Sequence, residues 1–262
     1  MKGKTVPEKT AVKKAAAKTV SKKAQSVVSA PSMSGVKTTP LKKAATTEHT
    51  MPEGQIVISR IATETIRVPL MGTSPLITHK FSEKAKRQML DAMQGRKAPK
   101  EPKNPEKEYQ DAAYRLDDDG YGIPAIAFKS ATVSAARFFG KSVTMVGLRQ
   151  TIFIAGEYSK LEGMMLARII GTPEMREDVV RVGNGGTDLR YRPFWGEWRT
   201  YLDVTYVKSM LTRDSVLSLI EAGGLGVGVG EWRPERRGEY GTYCIDPSRK
   251  IEVDPDTPMP ID

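Results

Sequence analysis

An arginine beside an aromatic ring can hold a nucleic-acid strand, because the guanidinium meets phosphate and the ring stacks on a base. Two stretches of this chain concentrate that pairing. Residues 181–199, RVGNGGTDLRYRPFWGEWR, interleave Arg181, Arg190, Arg192 and Arg199 with Tyr191, Phe194, Trp195 and Trp198. Residues 223–241, GGLGVGVGEWRPERRGEYG, set Trp232 and Tyr240 around Arg233, Arg236 and Arg237. Glycine reaches positive φ without steric cost, so the second stretch can also turn successive backbone N–H groups toward an anion. The plainer readings stand beside these. Glu231, Glu235 and Glu239 offset the loop arginines, as in an ordinary long turn, and Phe194, Trp195 and Trp198 suit a core or a subunit contact.

Other residues with chemical potential are isolated. Lys129 and Arg137 lie eight residues apart in a helical pattern, near one face. Asp117, Asp118 and Asp119 precede Gly120. Three carboxylates can gather a catalytic metal, but neighbours in an extended chain diverge, and Asp-Gly is first a hairpin-turn signal. His79 has no partner at a recognisable spacing and reads as structural, and Cys244, in a predicted strand, reads as packing. Neither a phosphate-binding P-loop nor a dinucleotide fingerprint is present. With one cysteine and two histidines, no cofactor or protein-built metal site is expected.

The formal charge of +10 is unevenly spread. Residues 1–50 carry eleven Lys, no Arg and two acids, a net of +9, which leaves 30 basic and 29 acidic groups for the remainder. Any anion-binding surface on the body must therefore be a local patch. Residues 1–54 are Lys-, Ala- and Thr-rich and lack aromatic residues, so a disordered tail that neutralises phosphates non-specifically is expected. No apolar run approaches the ~20 residues of a membrane span, and a cytoplasmic protein is expected.

A folded region is expected over 55–262. Its elements are a strand over 55–70, a helix from Ser82 to Gln94, a charged insertion over about 96–119 and a helix over 128–139. Strands at 149–155 and 198–207 flank a second inserted lobe at about 155–197. A helix capped by Thr212 and ended by Gly223 leads through the glycine–arginine loop to a strand from Tyr240 to Val253. Strand, helix, strand, strand, helix, strand is the order of an α+β, ferredoxin-like or RNA-recognition-like core.

Two segments, in this order, carry a family resemblance. Residues 122–137, GIPAIAFKSATVSAAR, resemble the I-P-G-S-S-L-K-G-x-x-R segment of the RAMP superfamily. These are ferredoxin-like proteins that build CRISPR effector complexes. Residues 223–245, GGLGVGVGEWRPERRGEYGTYCI, resemble that superfamily's C-terminal glycine-rich loop. Ala125-Ile126-Ala127-Phe128 replaces the usual Gly-Ser-Ser, and EWRPER is inserted between the glycine groups. The resemblance, to the superfamily or a virus-encoded relative, implies side-by-side copies along single-stranded RNA or DNA. Contacts would come from Lys129, Arg137, Arg181, Arg190, Arg192, Trp232, Arg233, Arg236, Arg237 and Tyr240, without catalysis. A self-assembling viral capsid or tail component and a metal-dependent nuclease using Asp117–Asp119 are the alternatives from other classes.

Overall fold

A computed structural model describes residues 58–96, 102–182 and 186–256. The basic stretch 1–54 lies outside these residues. The chain first forms β1 (Thr63–Gly72), β2 (Leu76–Ile77), α1 (Glu83–Met93), α2 (Pro105–Asp111), β3 (Tyr114–Arg115) and β4 (Tyr121–Pro124). Next come α3 (Ala125–Ser134), α4 (Met145–Thr151), β5 (Ile152–Ala155), β6 (Glu157–Ser159) and β7 (Met164–Ile169). The remainder is β8 (Glu174–Val182), β9 (Gly186–Trp195), β10 (Arg199–Val207), α5 (Arg213–Gly226), β11 (Tyr243–Ile245) and β12 (Glu252–Val253).

Alternation explains the central strands. Ile66, Val68 and Leu70 of β1 and Leu202, Val204 and Tyr206 of β10 point to one face and are buried. These two strands pair antiparallel from Thr63–Val207 to Met71–Arg199. On the opposite face Arg67, also buried, donates to both oxygens of Asp203 at 2.8 and 3.0 Å. The sheet runs β11-β1-β10-β5, with β12 also on β1. Numbered along the chain, the core strands lie in the order 4-1-3-2, with α3 after the first and α5 after the third. This is the ferredoxin-like arrangement expected from the sequence.

The insertions build two further antiparallel sheets together. β2 of the first pairs with β9 of the second, and β4 with β7. The first insertion is thus longer than 96–119. It begins after β1 and places Tyr109, Ala112 and Leu116 in buried positions. Trp195 and Trp198 belong to the hydrophobic core. The Trp198 indole N–H donates to the Ser74 carbonyl at 2.9 Å, and its ring lies where a side chain on Gly72 would sit.

Several boundaries differ from expectation. Residues 58–62 are exposed and precede the strand, which begins only where β10 can pair with it. Ser82 caps α1, accepting from the Ala85 N–H, yet α1 buries no residue and stays outside the core. Phe128, Ala131 and Ala135, spaced at a helical period, are buried, but the α-helix gives way to a 3-10 turn at Ala135–Phe139 that leaves Phe138 59% exposed. Residues 149–151 are helical because Thr144 caps α4 through the Gly147 N–H, so the strand starts at Ile152. The last strand is two short ones, separated by a turn in which Asp246 accepts from the N–H and hydroxyl of Ser248.

Helix α5, capped by Thr212, runs through Gly223 and Gly224 to Gly226. A Cβ on Gly223 would sit 3.0 Å from the Ala131 carbonyl of α3, and one on Gly224 only 2.0 Å from the Tyr243 carbonyl oxygen. These glycines permit close packing. Gly224→Ala should therefore cost about 1–3 kcal/mol despite alanine's better helix propensity. Gly196→Ala, with nothing within 4 Å, should stay within about 0.5 kcal/mol of the parent. Urea unfolding of both variants checks the pair.

Glu64 ties β1 to β10 and α5. It accepts from the Tyr206 hydroxyl at 2.5 Å and from Arg213 at 2.9 Å, which hold its carboxyl down to about 2 from an ordinary 4.5. A lowered folded-state pKa means stability that is present above about 4.5 and lost as pH falls toward about 2. The stability gap between the parent and Glu64→Gln should close over that window, as measured by unfolding at a series of pH values.

Candidate functional site

Beyond α5 the chain turns at Gly228 and Gly230, where φ is 70° and 76°, and passes Trp232. It then makes a 3-10 turn at Pro234–Arg236 and returns through Gly241, φ 67°. Hydrogen bonds pin this loop to β2. The Glu231 N–H donates to the Ile77 carbonyl at 2.9 Å and the Gly241 N–H to the Pro75 carbonyl at 2.8 Å. Within the loop, Val229 donates to Gly241, Tyr240 to Trp232, and Gly238 to Arg233. Much of its backbone is thereby spent on its own carbonyls, and what the loop presents outward is its side chains.

Trp232 and Tyr240, both half-buried, meet one face of the β8–β9 hairpin, their ring centroids 5.9 Å apart. Arg176 and Arg192 are cross-strand partners on that face. The Arg176 guanidinium lies 5.3 Å from the Phe194 and Tyr240 ring centroids and 5.5 Å from that of Trp232, and Arg192 lies 4.7 Å from Trp232. Asp178 serves both cations, accepting from Arg176 Nε at 2.9 Å and from Arg192 Nη2 at 2.6 Å. Arg192 is only 1% exposed, so it acts as a buried strut beneath the ring of Trp232. Arg176 and Asp178 carry no signal in the loop motifs. The hint is their two-residue spacing on a strand whose hairpin partner bears Arg190 and Arg192.

The other arginines take separate positions. Glu235 accepts from Arg233 at 3.1 Å and from the exposed Arg137 at 3.4 Å, which joins the end of the early helix to the late loop. Arg236 and Arg237 are exposed on the same turn, with Arg237 in the left-handed region at φ 65°. Lys129 sits elsewhere, its Nζ 4.8 Å from the Phe153 ring centroid at the β5 edge. Arg181 is exposed toward the far end of the β8–β9 hairpin. Arg190 is half-buried, 3.7 Å from Asp188.

Two concavities adjoin this cluster. A cleft of about 810 Å³ is bordered by Lys80, Lys84, Lys103 and Arg190, with Glu108, Asp111, Asp188 and Glu231 among its acids. Its charge is balanced. A smaller pocket of about 190 Å³ shares His79 and Glu231 with the cleft and reaches Arg233. Burial first, then the Arg190 charge, holds the His79 pKa below its ordinary value, so the ring is neutral at pH 7.

The three-aspartate run forms the β3–β4 turn. Asp117 accepts from the Lys160 N–H at 2.8 Å, Asp118 pairs with Arg168 at 2.9 Å, and Asp119 takes the left-handed conformation at φ 63°. Among the described residues, no group of three or more His, Cys, Asp or Glu is placed to hold a metal ion. Among the same residues, no helix is long and apolar enough to cross a membrane.

No protein-family model and no curated protein matches the chain. Among solved structures, Cmr6 from Pyrococcus furiosus aligns at 10% identity and a TM-score of 0.38, covering 71% of this chain and 100% of that one.

Asp178 is the test of how the cluster is held. Asp178→Ala should destabilise the fold by about 3–5 kcal/mol, because it removes the hydrogen-bonded carboxylate of a buried guanidinium and leaves it only Glu231, 3.8 Å away. A fall in the urea midpoint, together with a changed Trp232 environment in fluorescence, is the expected result.

Proposed function

We propose that this protein binds single-stranded nucleic acid, RNA or DNA, without cleaving it. The observation that carries the reading is the half-exposed Trp232–Tyr240 pair, braced by Arg176 and Arg192 and set beside the arginine turn at 233–237. Rings of this kind stack on bases of any sequence, while exposed guanidinia take the phosphates. Because the cleft is charge-balanced, the phosphate path follows Arg137, Arg236 and Arg237 rather than the cleft floor. The two segments that resemble the RAMP superfamily meet at this spot through Glu235, in keeping with the same role. Copies would line up along a strand, and the lysines of residues 1–50 would add non-specific affinity. Asp117 and Asp118 are already engaged in holding a turn, which argues against the nuclease alternative.

The test is fluorescence anisotropy of the full chain with labelled single-stranded RNA, single-stranded DNA and duplex DNA across a salt series. Each phosphate contact on a single strand contributes roughly 0.7 to the logarithmic salt slope. Arg236→Ala with Arg237→Ala should lower that slope by about 1.4. Trp232→Ala should weaken binding by about 1–3 kcal/mol with the slope unchanged. A chain with its tail lysines changed to glutamine should still bind single strands. If all affinity leaves with those lysines, the body is not a nucleic-acid module, and the exposed Phe138 and Leu225 beside the loop favour a self-assembling structural protein instead.

A further inference from the structure

The 190 Å³ pocket lies between the glycine–arginine loop, β2 and the start of α3, and opens beside the larger cleft. Its volume equals about six waters of liquid, which suits one ring system and is too small for a whole nucleotide. Ile123 and Ala127 give it an apolar wall, and the rings of Tyr114 and His79 border it. Its polar groups are varied and close together. Thr78, 1% exposed, borders the pocket, and its buried hydroxyl has no hydrogen-bond partner. Pro124 immediately precedes α3, no side chain caps that helix, and the unpaired N–H groups of a helix start favour an acceptor. Glu231 and Arg233 face the same space, and Glu231 is steadied by Arg192 Nη1 at 3.8 Å.

We propose that this pocket receives a single guanine base, from a bound strand or a free nucleotide, with Glu231 accepting from its N–H edge and Arg233 donating to its carbonyl oxygen. A carboxylate only accepts, so it asks for two adjacent donors. Guanine alone among the bases offers these, as its ring N–H and exocyclic amine. Adenine and cytosine each set a ring acceptor beside the amine, and uracil flanks its one N–H with two carbonyls. The start of α3 completes the carbonyl side. For a strand, this deepens the proposed function: the backbone passes outside along the arginine turn while one base turns inward past His79.

The experiment uses the full chain and pyrimidine oligonucleotides about twelve residues long, with and without one central guanosine, in RNA and DNA form. GMP, AMP and CMP are titrated separately by calorimetry. One guanosine should tighten strand binding roughly tenfold, and GMP should bind in preference to AMP and CMP. Ala127→Leu, which fills the pocket, and Glu231→Gln, which keeps its shape, should each abolish the preference while the guanosine-free strand keeps its affinity. Thermal unfolding checks that both variants remain folded. Equal affinity for both strands, unchanged by Ala127→Leu, overturns the pocket and leaves strand binding intact. GMP binding with no strand binding keeps the pocket and sinks the proposed function. If neither strands nor mononucleotides bind, both fall.

Discussion

Helix α5 lies so close to neighbouring backbone that a side chain would be crowded at Gly223 and excluded at Gly224. Gly223 touches the α3 backbone and Gly224 the carbonyl of Tyr243. This approach sets the distance between the two core helices and presses β11 onto β1. It also fixes where the helix releases the chain toward Trp232. A helix pays up to about 1 kcal/mol per glycine relative to alanine, and the burial of Val216, Leu219 and Ile220 beside Phe128 and Tyr243 offsets that cost. The conformational freedom usually credited to such a run matters only further on, at Gly228, Gly230 and Gly241, where φ is positive.

A second constraint is the burial of Arg192. A guanidinium cannot be left unpaired in the interior, and Asp178 answers it while also engaging Arg176. One carboxylate thus holds two cations at a set spacing, and the rings of Trp232, Tyr240 and Phe194 gather over them. The loop is joined to the hairpin through these contacts and to β2 through backbone bonds. The surface this creates has a rigid aromatic centre and a cationic margin at Arg236 and Arg237.

Much of this was legible from local patterns. Alternation over 63–70, the later part of the strand expected at 55–70, and over 199–207, the caps at Ser82 and Thr212, and the Asp-Gly turn all depend on near neighbours, and each of these appears in the structure. The resemblance named Arg137 and the loop arginines among ten contact residues, and the structure joins Arg137 to Arg233 through Glu235. The role of Arg176 was not legible, because it depends on a hairpin register and on a loop more than fifty residues away. Phe138 shows the limit of periodicity from the other side. Its spacing matches the buried face, but a change from α to 3-10 winding rotates it into solvent.

Spacing and composition by themselves determined the α+β core, the separation of a lysine-rich tail from a nearly neutral body, and the two stretches rich in arginine and aromatic residues. Only the tertiary structure decided which of those residues face outward. Trp195 and Trp198 went to the core because strand alternation and the approach of Gly72 enclose them, while Trp232 remained half-exposed on a loop held from both sides. Arg192 became a strut and Arg237 a free-facing cation for the same reason. A side chain's chemistry is set by its type, but its solvent exposure is set by whatever distant segment packs against it.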